Sequence, residues 1–300
     1  MPTNEQRRAT AKRKLERQLE RRAERDRKRR QYTIIGSVAA AVVVVVAVVV
    51  TVVLVNRGGS TPTASNSTSS AASTSAENSP LDAPKPGQTP PLPKFVAPAN
   101  LGADCQYPKS TEPASKPVDA PRAGKVPTDP AEVSASMETN QGNIGLQLDN
   151  AKAPCTVNSF ASLANKGFFD NTPCHRLTTG DGLAVLQCGD PTGQGTGGPG
   201  YQFANEYPTD QYQPDDPKLQ EPVLYPRGTL AMANAGAGTN GSQFFLVYKD
   251  STLPPNYTVF GTIDKTGLAT LDKIAAEGTA DGGPDGAPKQ TVTIKKLQLD

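Results

Sequence analysis

The longest apolar run of the chain lies at residues 32–55, where 24 consecutive positions carry no charged side chain. As an α-helix this segment would extend for ~36 Å, more than the ~30 Å hydrocarbon layer of a bilayer. A buried core helix is the alternative, but no other part of the sequence is apolar enough to cover it. A cleaved signal peptide has a shorter apolar region, of about 7 to 15 residues. The pattern therefore predicts a single transmembrane helix at 32–55.

From residue 133 onwards, short alternating apolar runs indicate folded protein. Residues 133–138 and 144–148 flank a turn and predict a β-hairpin. Residues 154–166 and 268–277 have helical periodicity, and each run is followed by a glycine, as expected of capped helices. Six further runs predict short strands, at 175–177, 183–187, 229–233, 243–247, 259–263 and 291–298. Many short strands with only two helices favour a mainly β fold built on a closed antiparallel sheet.

The stretch between these two regions is rich in Ser, Thr and Pro. It has too little apolar surface to offset the chain entropy lost on folding, which is typical of a disordered, partly polyproline spacer. Cys105 is the one feature that suggests attachment to the domain beyond it. The sequence thus divides into a basic segment at 1–31, a transmembrane helix at 32–55, a disordered linker at 56–130 and a folded domain at 131–300.

The formal net charge of +2 conceals an uneven distribution of charged residues. Residues 1–31 contain 13 Lys and Arg against 5 Asp and Glu, whereas residues 58–300 contain 17 against 24. Because the basic side of a membrane span stays in the cytoplasm, the folded domain is predicted to face outward from the cell membrane. Nucleic-acid binding is the other use of such a basic segment, but no aromatic residues are interleaved with its arginines and it adjoins the predicted span. We therefore expect the membrane, and no nucleic acid, as its partner.

Composition and spacing exclude several kinds of site. A single His excludes a multi-histidine zinc centre. Gly193, Gly195 and Gly198 match GxGxxG, but Pro199 and Gly200 follow where a dinucleotide-binding fold needs a helix, so a flexible loop is predicted. The four cysteines include no CxxC pair, and on an outward-facing domain they fit two structural disulfides with three possible pairings. Neither a metal nor a cofactor is predicted.

Three blocks of sequence carry the most specific information. They are CHRL at 174–177 with LQCGD at 186–190, LAMANAG at 230–236 with TNGSQFF at 239–245, and YTVFG at 257–261. Together they resemble the cyclophilin family of peptidyl-prolyl isomerases over residues 131–300, and most closely its membrane-anchored members from high-GC Gram-positive bacteria. The resemblance implies an eight-stranded antiparallel β-barrel closed at its ends by two α-helices, which agrees with the elements predicted above.

The resemblance also implies roles for individual residues. Arg176 would be the catalytic arginine, Gln187 would orient it, and Tyr257 would close the proline-binding cup with its aromatic face. The other substrate-binding residues that it implies are Phe245, Val185 and Leu253 in the cup, and Gln243 with the backbone of Ala233 and Asn234 along the groove.

The chemistry of prolyl isomerisation suits such a site. Rotation of an X-Pro bond breaks amide resonance, and the uncatalysed step has a barrier of ~20 kcal/mol and takes ~10 to 100 s. No covalent bond need form, because an enzyme that binds the twisted amide more tightly than either planar isomer lowers the barrier. An apolar cup for the proline ring and a fixed guanidinium would provide this binding. The predicted function is prolyl isomerisation in secreted or surface proteins; a catalytically weak peptide-binding or chaperone domain that uses the same groove is the alternative.

One histidine and two departures from the family pattern affect this interpretation. His175 adjoins Arg176, but the reaction needs no proton transfer, so we predict a buried, hydrogen-bonded structural role for it. Ala184 stands where the family typically has an aromatic residue, and three extra residues lie between Arg176 and Gln187, so one side of the cup is expected to be shallower. Thr252 stands where cyclosporin-sensitive members have Trp, so cyclosporin binding is expected to be weak.

The resemblance further implies which cysteines pair. Cys174 and Cys188 would lie on neighbouring strands of one hairpin, which leaves Cys105 to reach Cys155 at the start of the first helix. Proline-containing polypeptides are the expected substrates, and the sequence does not indicate an oligomeric state.

Overall fold

The structure is a computed structural model that describes residues 89–300. The predicted basic segment at 1–31, the predicted transmembrane helix at 32–55 and residues 56–88 of the predicted linker lie outside the described residues. Within 89–300, no helix combines the length and the apolar character that crossing a bilayer requires. The membrane topology therefore stays a prediction from the sequence.

The described chain contains twelve β-strands, two α-helices and two short 3-10 helices. The strands are β1 (Glu132–Thr139), β2 (Gly142–Asp149), β3 (Thr172–Cys174), β4 (Arg176–Thr178), β5 (Val185–Cys188), β6 (Val223–Tyr225), β7 (Thr229–Met232), β8 (Phe244–Val247), β9 (Ser251–Leu253), β10 (Val259–Ile263), β11 (Asp285–Gly286) and β12 (Val292–Leu299). The helices are α1 (Pro154–Asn165) and α2 (Lys265–Glu277), with 3-10 turns at Thr209–Gln211 and Pro217–Gln220.

Ten of the strands form one antiparallel sheet in the order β11-β4-β5-β8-β7-β10-β2-β1-β12-β3, and β6 pairs with β9 separately. β3 and β4 are consecutive in the chain and separated by His175 alone, yet they stand near opposite ends of the sheet. The sheet must therefore curl until its two ends approach each other at His175. A disulfide between Cys174 and Cys188 connects β3 to β5 beside this junction.

The expected eight-stranded closed barrel is thus corrected to a curled ten-stranded antiparallel sheet. One difference is that the chain on either side of His175 forms two strands, β3 paired with β12 and β4 paired with β5. The other is the two-residue strand β11, which pairs with β4. Strands this short show no alternation in the sequence, and β3 contains Pro173, which lacks a backbone donor. The mainly β class with two helices is confirmed.

The first hairpin and the first helix form where the pattern predicts them. β1 and β2 pair along their whole length, with Thr139 opposite Gly142 at the turn. α1 begins at Pro154, whose fixed φ suits the first helical position. Gly167, just beyond α1, has a φ of 63°, which a glycine adopts without strain. Local sequence therefore determines both elements.

α2 begins at Lys265, three residues before the predicted start at 268. The side chain of Asp264 caps the helix by accepting a hydrogen bond from the backbone N–H of Gly267 at 2.6 Å. Gly267 lies so close to the sheet that a Cβ there would be 2.7 Å from Cγ2 of Ile144. Because glycine lowers helix propensity, the sequence pattern does not indicate that the first turn of α2 is helical.

Two clusters of apolar side chains lie on opposite faces of β5 and β8. Leu186 and Leu246 belong to the main core, which also includes buried residues of both helices. Val185, Phe245 and Val247 belong to a second, smaller cluster. Successive residues of a strand point to opposite faces, so each strand contributes to both clusters.

Residues 89–130, which we call the strap, pack against the domain. Cys105, Tyr107 and Val126 of the strap are buried in the main core. Cys105 forms a disulfide with Cys155 at the start of α1, and the hydroxyl of Tyr107 donates to the carbonyl oxygen of Cys155 at 2.7 Å. The prediction of a disordered linker up to residue 130 is wrong for this part, because a few apolar residues in a polar segment find core contacts that composition does not reveal. Both disulfide pairings implied by the resemblance are present.

Candidate functional site

Four residues on four neighbouring strands form one row across the sheet. Arg176 on β4 is opposite Gln187 on β5, Gln187 is opposite Phe245 on β8, and Phe245 is opposite Ala231 on β7. Residues directly opposed in antiparallel strands share one face of the sheet. Two strand spacings put the backbones of Arg176 and Phe245 roughly 10 Å apart. The row therefore places a cation and an aromatic ring on one surface.

Two partners hold the guanidinium of Arg176. Its Nη1 donates to Oε1 of Gln187 at 3.2 Å. Its Nε and Nη2 donate to the two carboxylate oxygens of Asp285 at 2.8 and 2.7 Å. The hydrogen bond to Asp285 raises the pKa of Arg176 above its usual value, and Arg176 in turn lowers the pKa of Asp285. Arg176 is thus charged and oriented from two sides.

The contact between Arg176 and Gln187 follows from the resemblance, but the contact with Asp285 does not. Asp285 lies in the run Asp281-Gly282-Gly283-Pro284-Asp285, whose composition is that of an ordinary turn. It reaches Arg176 only because β11 pairs with β4. Nothing in the local sequence distinguishes it from other turn aspartates.

A chain of hydrogen bonds connects Gln187 to the Gly-rich loop, residues 193–200. Nε2 of Gln187 donates to Oε1 of Gln243 at 3.0 Å. Nε2 of Gln243 donates to the carbonyl oxygens of Gly195 and Gly197 at 3.0 and 2.9 Å. Three predicted site residues thus form one polar network, and the loop that was predicted to be flexible is held by it.

The predicted cup residues come together in the second apolar cluster. Val185 and Phe245 are buried members of it, and Leu253 and Tyr257 pack against them. The rings of Phe245 and Tyr257 meet edge to face, with 5.7 Å between their centroids. Ala233 also packs against this cluster, so the cup adjoins the groove.

Several residues of the cup cluster were not predicted. They are Leu92, Leu183, Val223, Tyr225, Ala231, Val247 and Val259. Leu92 belongs to the strap, which therefore contributes to the cup. Ala184, which was expected to leave the cup shallow, belongs to the main core, whereas its neighbour Leu183 packs against the cup.

The backbone of Ala233 is only partly open to a substrate. Its N–H donates to the carbonyl oxygen of Gln243 at 3.0 Å, so the expected substrate contact is restricted to the carbonyl of Ala233. The side chain of Asn234 donates to the carbonyl oxygen of Asn256 at 2.9 Å. This bond fixes the start of the turn that borders the groove.

His175 is half-buried, and both of its ring nitrogens are buried. Neither ring nitrogen has a partner among the residues that the structure describes, which corrects the expected hydrogen-bonded role. Burial lowers the pKa of His175 below its usual value, although Asp190 opposes this shift. The ring lies under the Gly-rich loop, where a Cβ on Gly195 would be 3.3 Å away. His175 is therefore a neutral packing residue at the junction of β3 and β4.

An open cavity of about 400 Å³ lies beside this network. The predicted groove residues Gln187, Gln243, Ala233 and Asn234 line it. Its remaining walls come from the Gly-rich loop, from the turn after β7 and from the strap. The predicted polar residues thus border the cavity, and the predicted apolar residues form the cup next to it.

Comparison with known proteins agrees with this geometry. The model of the family described as cyclophilin type peptidyl-prolyl cis-trans isomerase/CLD matches residues 134–299. A probable peptidyl-prolyl cis-trans isomerase B from Mycobacterium leprae (strain TN) is 66% identical over 300 residues, which cover 100% of both chains. The protein of the same name from Mycobacterium tuberculosis (strain ATCC 25618 / H37Rv) is also 66% identical, over 100% of this chain and 95% of that protein.

More distant relatives match about half of this chain. A peptidyl-prolyl cis-trans isomerase from Helicobacter pylori (strain ATCC 700392 / 26695) is 41% identical over 142 residues, which cover 47% of this chain and 78% of that protein. Among solved structures, a cyclophilin type peptidyl-prolyl cis-trans isomerase from Cryptosporidium parvum is 28% identical with a TM-score of 0.45, over 56% of this chain and 98% of that one. From the family match and the two mycobacterial relatives, the chain belongs to the cyclophilin-type peptidyl-prolyl cis-trans isomerases.

Proposed function

We propose that this isomerase acts by binding the twisted X-Pro amide between Arg176 and the cup formed by Phe245, Val185, Leu253 and Tyr257. The observation that carries the proposal is the cross-strand row, which puts Arg176 and Phe245 on one face of the sheet. A proline ring in the cup would have its amide next to the guanidinium. The substrates would be proline-containing polypeptides.

The guanidinium of Arg176 keeps donors for a substrate. It has five N–H groups, and three of them are engaged by Gln187 and Asp285. One N–H on Nη1 and one on Nη2 can therefore bond the amide nitrogen or carbonyl as resonance is lost. Such a bond is stronger with the twisted amide than with the planar one, because the twisted nitrogen regains its lone pair. Only a difference of this kind lowers the barrier.

The cup would hold the ring while the preceding residue turns. Phe245 and Val185 are buried, and the edge-to-face contact with Tyr257 fixes the Phe245 ring. Apolar walls exclude water, and this strengthens a hydrogen bond between the guanidinium and the amide. The step needs no proton transfer, which is consistent with the buried ring nitrogens and the lowered pKa of His175.

Replacement of Arg176 tests this mechanism. We expect Arg176→Ala to lower kcat/KM in a peptide isomerisation assay about 100-fold or more, since it removes the donors to the transition state. Arg176→Lys should retain little of the activity, because the ammonium group of Lys cannot bind Asp285 and Gln187 together as the planar guanidinium does. Peptide binding should change only a few-fold, because the cup is intact.

Arg227 provides a matched control. It pairs with Asp272 through two hydrogen bonds of 2.8 Å, and its side chain is 37% exposed, against 38% for Arg176. Arg227 is not part of the row, so Arg227→Ala should isomerise the peptide at the wild-type rate. Equal activity of Arg176→Ala and the wild type would reject this mechanism in favour of another one. Peptide binding by the wild type without any acceleration of isomerisation would instead favour a peptide-binding domain.

We also propose that the domain faces the outside of the cell membrane, anchored through residues 32–55, and assists the folding of secreted or surface proteins. The uneven charge of the sequence and the two disulfides within residues 89–300 support this location, since disulfides persist in oxidising compartments. Protease added to intact cells should remove the domain. Digestion only after lysis would contradict the proposal.

A further inference from the structure

One wall of the cavity beside Arg176 comes from outside the family domain. Ser110, Glu112 and Pro113 of the strap line it, whereas the family model begins at residue 134. The family domain and the strap therefore form the cavity together.

Backbone hydrogen bonds fix this part of the strap to the Gly-rich loop. The N–H of Ser110 donates to the carbonyl oxygen of Gly200 at 3.0 Å, and the N–H of Ser115 donates to that of Gly198 at 2.8 Å. The loop needs glycine for this approach: Gly200 has a φ of +80°, and a Cβ on it would be 2.8 Å from the backbone nitrogen of Ala114. The disulfide of Cys105 anchors the strap shortly before this contact.

The cavity adjoins the proposed catalytic site through two residues that they share. Gln187 lines the cavity and also accepts the hydrogen bond from Nη1 of Arg176. Ala233 lines the cavity and packs against the cup cluster. A peptide whose proline occupies the cup would therefore place a nearby side chain at the cavity. Ligand cavities of this size, about 400 Å³, easily take one long side chain.

Among residues 89–300, Glu112 is the only charged residue that lines the cavity. It is exposed, and it forms no ion pair with any residue of 89–300. The other lining residues are neutral; burial raises the pKa of Tyr201 to about 12, so its hydroxyl stays protonated. The cation of Arg176 is already paired with Asp285. The cavity thus presents one unpaired negative charge to a ligand.

We propose that Glu112 of the strap makes this cavity select a Lys or Arg side chain close to the X-Pro bond of the substrate. The inference rests on the proposed function, because the cup must hold the proline. The apolar stem of a Lys or Arg side chain would lie along Pro113 and Pro199, and its charge would reach Glu112 at the rim. Substrates with an acidic residue at the same position would be disfavoured.

A peptide series on the full-length protein tests the proposal. Peptides of one sequence carry Lys, norleucine or Glu at each of three positions before and after the proline, one position at a time. We expect kcat/KM to be about two- to fivefold higher for Lys than for Glu at one or two of these positions, which is the range for an exposed ion pair. The difference should arise in KM and should diminish at high salt.

Substitutions of Glu112 decide the origin of any preference. Glu112→Gln should bring the ratio of Lys to Glu peptides close to one, and Glu112→Lys should invert it. Glu277→Gln, an exposed change that does not line the cavity, should leave the ratio as in the wild type. An unchanged ratio in Glu112→Gln, or equal rates for all peptides, would overturn the subsite while leaving the proposed function intact. Failure to isomerise any peptide would instead reject the proposed function.

Discussion

Arg176 and Asp285 are joined by two hydrogen bonds of 2.8 and 2.7 Å, although 109 residues separate them in the chain. Their side chains are 38% and 50% exposed, so the ion pair adds little to the free energy of unfolding. Two parallel bonds to a carboxylate do, however, fix the plane of a guanidinium. Together with Gln187, Asp285 therefore sets the direction in which the remaining donors of Arg176 point.

Asp285→Asn should lower activity without lowering stability. The amide of Asn has one oxygen where the carboxylate has two, so it holds the guanidinium of Arg176 less firmly. We therefore expect kcat/KM to fall about three- to tenfold, with most of the change in kcat. Asp272→Asn, which weakens the similar pair with Arg227, is the matched control and should keep full activity. The melting temperatures of both variants should stay close to that of the wild type.

The pH profile separates orientation from a structural role. Arg176 holds the pKa of Asp285 below its usual range. Wild-type activity should therefore persist as the pH falls, until Asp285 is protonated, and then decline towards the level of Asp285→Asn. The variant should lack this decline. Wild-type activity in Asp285→Asn would mean that Gln187 alone orients the arginine.

Glu206 makes stability depend on pH. It is buried at the start of α1 and accepts hydrogen bonds from the N–H groups of Cys155 and Thr156 at 2.9 and 2.7 Å. Burial raises its pKa from 4.5 to about 7, although these bonds lower it. Since the folded state then binds the proton more tightly, the stability from this group is fully present below pH 4.5 and is lost as the pH rises through about 7. The total change would be about 3 kcal/mol.

Urea unfolding of Glu206→Gln between pH 4.5 and 8 measures this effect. Gln stays neutral, so the wild type should lose stability relative to the variant as the pH rises. His175, whose pKa is lowered by burial, reduces stability in acid, but it is present in both proteins and cancels in the difference. A difference that does not vary with pH would show that the carboxylate is ionised throughout.

Much of the fold and of the cup could be predicted because the relevant residues lie in elements with strong local patterns. The hairpin of β1 and β2 and the helix α1 have their own periodicity and turn residues. Arg176, Gln187 and Phe245 lie in the sequence blocks that carry the family resemblance. Their alignment in one row then follows from strand pairing.

Residues that reach the site from elsewhere could not be predicted. Asp285 stands in an ordinary turn, and Leu92 and Glu112 belong to a Pro-rich segment whose composition favours disorder. Their contacts are with residues that are distant in the chain, and no periodic pattern in the sequence indicates such contacts. The three-residue strands β6 and β9 are likewise too short to show alternation.

Cyclosporin should inhibit this isomerase weakly. Thr252 offers neither the indole donor nor the apolar face of the Trp found in sensitive relatives. The strap also approaches this position, with Oγ1 of Thr89 3.5 Å from Oγ1 of Thr252. We expect half-maximal inhibition of the full-length protein only at cyclosporin concentrations at least about tenfold above the enzyme concentration. Thr252→Trp should increase the sensitivity to cyclosporin only in part, because the indole ring would contact the strap. Stoichiometric inhibition of the wild type would contradict this.

Loss of the disulfide between Cys105 and Cys155 should destabilise the protein more than loss of the other disulfide. The first closes a separation of 50 residues and the second one of 14. Chain entropy then predicts stabilisation of ~4 and ~3 kcal/mol, respectively. The double variants Cys105→Ala/Cys155→Ala and Cys174→Ala/Cys188→Ala, compared by urea unfolding, measure the two contributions.

The two variants should also differ in activity, because the disulfides hold different parts of the site. Cys105 anchors the strap, so its loss should reduce the preference for Lys over Glu peptides while Arg176 and the cup still act on neutral ones. Cys188 ends the strand that carries Gln187, so loss of its disulfide should lower kcat for every peptide alike. If the first variant keeps the full Lys preference, the hydrogen bonds between the strap and the Gly-rich loop suffice to hold Glu112 in place.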